Sequence, residues 1–249
     1  MKRYSSGFTK AFKYSGNNEK LRADYFVKRM NIILPYLRKG QKILELGCGE
    51  GLLGKRIKAE TGGEVYGVDI SESGVRAARK KGIRARVSDL NNRLPYPDYT
   101  FNLIVSDQVI EHVYRTDHLM DEIYRILKPD GIVITITPNL SFWLNRILFI
   151  IGIYPLFLEA GESSKGYGTR FLKKYIQDKE SVGHIHVFNK HALADIFYAH
   201  GFIVKKITGS SLSWSLPPFF RTIYNIIDNF FALFPSLARD CVVIAVKYS

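Results

Sequence analysis

Cysteine is scarce: Cys48 and Cys241 are the only two in 249 residues. They lie far apart and fit no metal-ligand spacing, which excludes a disulfide framework and points to a reducing cytoplasm. Long apolar runs are missing as well. The longest, residues 147–158 (ILFIIGIYPLFL), spans 12 residues and is broken by Gly152 and Pro155, whereas a spanning helix needs roughly 20. The opening MKRYSSGFTKAFKYSGNNEK has no apolar stretch before a cleavage site, so no secretory signal is expected. Acidic residues are under-represented: 23 Asp plus Glu face 36 Lys plus Arg, a net charge of +13. That balance favours a polyanionic partner such as nucleic acid, an anionic bilayer or a phosphorylated substrate. The chain has no Arg/Gly-rich tail, zinc-finger spacing or RNP-like motif, which weighs against nucleic acid. It also has no local His or Cys pair at metal spacing, so no metal is expected.

What is present suits one globular domain: 46% of residues are hydrophobic, and a chain of this length can bury one sizeable core. Residues 1–41 read as a polar lead-in and a helical cover, with Leu21, Tyr25, Met30, Ile33, Leu34 and Leu37 at roughly helical spacing before Gly40. From Lys42, short β-rich runs alternate with helical stretches. Strands are predicted at 42–47, 64–69, 83–87, 101–106 and 131–137, and helices at 51–60, 72–81 and 116–127, with Ser71 as an N-cap. This alternation predicts an α/β Rossmann-like sheet of seven strands, mostly parallel, with helices on both faces. Residues 42–138 form its cofactor-binding core. A helix at 189–200 with Asn189 as N-cap, and strands at 202–208 and 241–247, place the rest of the core in 184–209 and 238–249. The last two strands have no full helical crossover between them, so an antiparallel edge is expected.

Within KILELGCGEGLLG, residues 49–54 fit G-x-G-x-x-G, the dinucleotide fingerprint. That fingerprint places its first glycine at the strand end, which here is Gly47, and counted from there Leu52 stands where the third glycine belongs. The unit counted from the strand is Glu45-Leu-Gly47-Cys48-Gly49-Glu-Gly51. Asp69 ends the second predicted strand, where a carboxylate can accept hydrogen bonds from ribose hydroxyls. Asp89 follows the third.

These residues resemble motif I of the class I S-adenosylmethionine-dependent methyltransferases, E/D-x-G-x-G-x-G. The likeness extends to residues 106–113 (SDQVIEHV), to LKPDG at 127–131 with Asp130 in place of a glycine, and to 184–202, where HIHVFNKHAL and AHGF are similar to the ubiquinone-type O-methyltransferase branch. The resemblance implies S-adenosylmethionine as cofactor, held by Glu45, Gly47, Cys48, Gly49, Gly51, Asp69, Ile70, Asp89, Leu90, Ser106 and Gln108. Asp89 would accept from the adenine amino group, with Leu90 beside the ring. A carboxylate such as Glu45 would repel a pyrophosphate and suit a ligand carrying an ammonium and a sulfonium.

Methyl transfer to a hydroxyl or amine is helped by a base, and His112, His184 and His186 are the candidates. Alternation in an extended stretch would place His184 and His186 on one face. Two apolar insertions, 139–183 and 210–237, should leave the carboxyl ends of the fifth and sixth strands and form a helical cap on the cofactor side. Their Phe, Trp, Ile and Leu suit a lid, a homodimer interface, a pocket for a small or lipid-like acceptor, or a peripheral contact with an anionic membrane. Arg146, Arg170, Lys173, Lys174 and Arg221 would be the basic rim. A nicotinamide-dependent oxidoreductase and a non-catalytic adaptor with this fold are the competing readings.

Overall fold

The computed structural model describes residues 19–161, 167–169, 182–211 and 218–248. The lead-in, the rim residues Arg170, Lys173 and Lys174, and Leu212, Trp214 and Leu216 of the second insertion lie outside them.

Helix α1 (Glu19–Ile33) runs through a 3-10 turn at Leu34–Tyr36 into β1 (Lys42–Leu46). Then follow α2 (Leu52–Thr61), β2 (Glu64–Asp69), α3 (Glu72–Lys80), β3 (Arg84–Val87) and β4 (Phe101–Asp107). A 3-10 turn at Ile110–His112 leads to α4 (Thr116–Ile126) and β5 (Leu127–Pro138). The chain closes with α5 (Trp143–Ile150), α6 (Lys190–Ala199), β6 (Phe202–Ser210), α7 (Pro218–Phe231) and β7 (Asp240–Lys247).

The seven strands lie in the order β3-β2-β1-β4-β5-β7-β6. The first five are mutually parallel. β7 runs antiparallel to both its neighbours, so the edge pair is antiparallel as expected, and the strand latest in the chain lies inside the sheet with β6 at the edge.

The sequence's start and stop signals act as read. Ser71 Oγ accepts from the Gly74 N–H, and Asn189 Oδ1 from those of His191 and Ala192, which satisfies donors a helix start leaves unpaired. One boundary shifts: β5 begins at Leu127 rather than 131, pairing Phe101 across a bulge before Leu103. Within that stretch Asp130 has φ +57°, the left-handed conformation that glycine takes freely and aspartate tolerates better than most residues. The aspartate thus occupies a glycine's conformation at the motif's point of departure.

Two apolar cores sandwich the sheet. Tyr25, Phe26, Met30 and Ile33 of α1 pack with Leu53, Ile57, Val75 and Ala78 of α2 and α3 on one face. Leu119, Met120 and Ile123 of α4 pack with Leu193 and Phe197 of α6 on the other. A third, smaller core joins the two insertions, in which Phe142, Leu148, Leu156 and Phe157 surround Tyr224 of α7. Trp143 stacks on Phe231 at 5.5 Å between ring centroids. Both insertions leave the carboxyl edge of the parallel strands, since Pro138 of β5 and Ser210 of β6 both pair with Asp240.

Candidate functional site

The turn after β1 is shaped by backbone. Gly47, Gly49 and Gly51 have φ of +62°, +47° and +72°, angles that side chains other than glycine's disfavour. A Cβ on Gly51 would also sit 2.8 Å from Ala78 Cβ and 2.9 Å from Ala78 Cα, so α3 can approach the loop only where there is no side chain. Asp69 fastens the turn: its Oδ2 accepts from the Gly49 N–H at 2.7 Å and its Oδ1 from the Ser71 N–H at 2.8 Å. The Asp69 carbonyl accepts from the Ser88 N–H, which draws the β3 loop alongside. In that loop Asp89 Oδ1 takes the backbone and side-chain N–H groups of Asn91, Leu90 is half-buried and Ile70 lies exposed at the lip. A Cβ on Gly47 would meet Val109 Cγ2 at 2.6 Å, so the glycine turn and the turn after β4 are in contact.

Glu45, which the resemblance implies among the cofactor-holding residues, lies beside the glycine loop. It is buried, and its Oε2 accepts from the Gly54 N–H at 3.0 Å, bracing the start of α2 from behind the loop. Burial first, and then the charge of Asp107, raise its carboxyl well above the ordinary range. Cys48 is buried in the turn, and burial with Glu45 and Asp69 nearby pushes its thiol up, which removes it as a nucleophile.

The end of β4 and the turn after it carry buried polar atoms with no hydrogen-bond partner among the described residues: Ser106 Oγ and Gln108 Nε2. Gln108 sits at φ +57°. A buried hydroxyl and an amide donor left open beside a glycine turn, with the carboxylates of Asp69 and Asp89 nearby, form a polar set fitting S-adenosylmethionine, whose carboxylate and hydroxyls can satisfy the open atoms.

Asp107, between those two, belongs to a cluster the sequence does not reveal. Arg29 of α1 is fully buried, its Nε 2.9 Å from one Asp107 oxygen and 3.2 Å from the other, with Nη2 2.7 Å from Asp240 Oδ2. It also donates to Ser210 Oγ at 2.9 Å, and Tyr25 Oη donates to Asp107. Burial raises the Asp107 carboxyl even against Arg29. One guanidinium thus ties α1 to the carboxyl ends of β4 and β6 and to the amino end of β7.

The candidate base residues divide. His112 and His184 come together with ring centroids 5.0 Å apart. His112 Nδ1 lies 3.0 Å from the Gly183 carbonyl and His184 Nδ1 2.9 Å from that of Phe157. A carbonyl can only accept, so both Nδ1 atoms carry the proton and each Nε2 is the basic nitrogen. His186 does not join them: its Nε2 is directed at the Tyr114 carbonyl, 3.4 Å away. The extended stretch is anchored by its backbone, Ile185 and His186 both donating to the Glu111 carbonyl, and this separates the two histidines that alternation would pair.

Two residues outside the expected set complete the arrangement. Glu111 is buried, takes the Thr137 hydroxyl on Oε2 at 2.9 Å, and keeps Oε1 4.0 Å from His112 Nε2. Burial raises its carboxyl to about 8. Its signal was the Glu-His pair in SDQVIEHV. Glu159 accepts the N–H groups of Val182, Gly183 and His184 and so holds the stretch bearing His184; it stands in an insertion with no readable periodicity. Glu111, His112 and His184 offer ligand atoms all within 4.8 Å of one another, a grouping that could hold a metal ion. The expectation of no metal rested on local spacing, whereas this trio is assembled across a long loop.

Comparison with known proteins gives a family and a fold. A family model described as a methyltransferase domain matches residues 18–207. A probable S-adenosylmethionine-dependent methyltransferase of Mycolicibacterium smegmatis is 32% identical over 120 residues, 47% of this chain and 46% of the relative. The ubiquinone/menaquinone biosynthesis C-methyltransferase UbiE of Photorhabdus laumondii is 30% identical over 167 residues, 62% of this chain and 61% of the relative. The chain therefore spans less than two thirds of the length of these curated relatives. Among solved structures, a SAM-dependent methyltransferase from Archaeoglobus fulgidus superposes with a TM-score of 0.58 at 21% identity, covering 90% of this chain and 94% of that one. A chain from the complex of the Haloferax volcanii Trm112 methyltransferase activator with the putative methyltransferase gives 0.64 at 15%, covering 93% and 95%. At such identities the likeness is one of fold.

Proposed function

The chain belongs to the methyltransferase domain family, and from that premise we propose that it moves a methyl group from S-adenosylmethionine to a small, apolar or lipid-linked acceptor. The cofactor supplies a methyl group on a sulfonium, open to in-line displacement by a nucleophile. The protein's task is then to orient the nucleophile and take up a proton. Gly47, Gly49, Gly51, Asp69, Asp89, Ser106 and Gln108 are assigned to holding the cofactor. Glu45 braces the glycine turn. His112 Nε2 is assigned as proton acceptor, with His184 beside it and the Glu111 carboxyl 4.0 Å away.

The observation carrying the choice of acceptor is the junction between the apolar cap and the histidine pair. Phe157, in the core shared by both insertions, holds His184 through its carbonyl, so an acceptor lodged against the cap would lie beside the base. Among the relatives, UbiE acts by its name in ubiquinone and menaquinone biosynthesis, which suits an acceptor of that kind.

The test is transfer of labelled methyl from S-adenosylmethionine into a fractionated host extract, alongside calorimetry with S-adenosylmethionine and NAD. Label in the lipid fraction, with the first ligand binding and the second not, is the expected result. Label confined to aqueous metabolites, RNA or protein would overturn the acceptor class. Binding without any labelled product would favour a non-catalytic adaptor, and NAD binding alone an oxidoreductase.

A further inference from the structure

Helix α7 is built with its polarity reversed. The side chains it turns inward include Tyr224 and Asp228, both buried, and Trp143 Nε1 donates to Asp228 Oδ1 at 3.2 Å. Those it turns outward are Phe219, 71% exposed, Ile223, Ile226 at 65% and Phe230 at 56%. Successive spacings of four, three and four residues make one helical stripe, extended by Leu233 and Phe234. Beside it, α5 and the turn after it expose Ile147, Phe149, Ile150 and Ile151, with Ile150 at 85%. Water is a poor medium for so much contiguous hydrocarbon, and patches of this kind mark contact surfaces.

Charge selects the occupant. α5 and α7 hold a single carboxylate, Asp228, and it faces inward. Their cations are Arg146, which is exposed, and Arg221, half-buried. Of the charged side chains that α5 and α7 carry, those not turned inward are therefore cations, on a chain of net charge +13. A second copy would bring the same cations against these, whereas a bilayer rich in anionic headgroups supplies the opposite charge around an apolar interior. No helix among the described residues is long and apolar enough to cross a membrane, which agrees with a helix lying in the interface plane.

We propose that the outward faces of α5 and α7 form a docking surface for an anionic phospholipid bilayer. Because both insertions leave the carboxyl edge of the sheet, docking presents the site side of the protein to the membrane.

The test uses the full chain with vesicles of phosphatidylcholine alone and of phosphatidylcholine mixed with phosphatidylglycerol, read by co-sedimentation without any turnover, so its outcome is independent of which acceptor is methylated. Partitioning onto the anionic vesicles is expected. A variant carrying Phe219→Ser, Ile226→Ser and Phe230→Ser should bind them at least about ten-fold more weakly while keeping its melting temperature. A second variant, Arg146→Glu with Arg221→Glu, should lose the preference for anionic over neutral vesicles. Equal binding to both vesicles, no binding, or binding unchanged in the serine variant would each overturn the proposal. So would absence of vesicle binding in a chain that sedimentation velocity shows to be a dimer and the serine variant converts to a monomer.

Discussion

In the β3-β2-β1 half of the sheet, the bonds that shape the site run between backbone and short side chains close in the chain: Gly49 to Asp69, Ser71 to the same carboxylate, Asn91 to Asp89. In the β4-β5-β7-β6 half they run between side chains and distant loops. His112 reaches Gly183 across 71 residues, Trp143 reaches Asp228 across 85, and Arg29 reaches Asp240 across 211. One half is a rigid cradle made by local turn geometry, and the other a chemical surface assembled late from remote pieces. The first, completed by Ser106 and Gln108 at and just after the end of β4, suits a task common to a whole family, holding one cofactor. The second can be rebuilt around a new acceptor without disturbing the cradle.

That division can be broken by substitutions that separate binding from chemistry. His112→Ala should lower kcat by about 10²–10⁴-fold, the range for loss of a general base, and leave S-adenosylmethionine affinity by calorimetry unchanged. A parallel loss of affinity would show that the two halves are not separate. Gly51→Ala should do the reverse. Its methyl group meets Ala78 at φ +72°, and a strain of about 1–3 kcal/mol corresponds to roughly 5- to 150-fold weaker cofactor binding, with kcat largely recovered at saturation. Affinity within two-fold of the parent would mean that the turn does not need its glycine.

The smallest effect concerns a long side chain outside the glycine turn. Glu122 of α4 accepts the Leu94 N–H and the Arg125 guanidinium, both at 2.7 Å. Burial opposes its charge, yet the Arg125 hydrogen bond and the Leu94 N–H outweigh it and lower its carboxyl below the ordinary 4.5. A carboxyl whose folded pKa lies below its unfolded one contributes stability in full above the unfolded value. It loses that contribution as pH falls through the folded one. Glu122→Gln should therefore cost about 1–3 kcal/mol near pH 7, and the gap to the parent in urea melts should narrow below about pH 4.5. A gap that stays constant on acidification would rule out the charge as its source.

Where the sequence could be read follows the same division. The strands, the Ser71 and Asn189 caps and the aspartates after β2 and β3 were legible because each depends on a few neighbouring residues. Glu45 was visible as a motif residue, but its direction was not, since that depends on how α2 packs. His112 and His184 stood out as residue types. Their meeting, and the exclusion of His186, depend on Glu159 and the Glu111 carbonyl, whose partners no spacing encodes. Arg29 read as one cation among 36 Lys and Arg, because burial of a charge is decided by two carboxylates far along the chain. The insertions announced their apolar content but not the face on which α7 would wear it.

The place of β7 bears on how the molecule is made. It is the latest of the seven strands in chain order, yet it lies between β5 and β6 and bonds to both. Until residues 240–247 emerge from the ribosome, β5 ends in an open edge and β6 has no strand beside it, both ready to pair with another chain. Arg29 likewise lacks its Asp240 partner until then. The nascent chain thus completes the cradle early and carries its second half unfinished to near the end of these 249 residues. That interval is when a chaperone would have most to do.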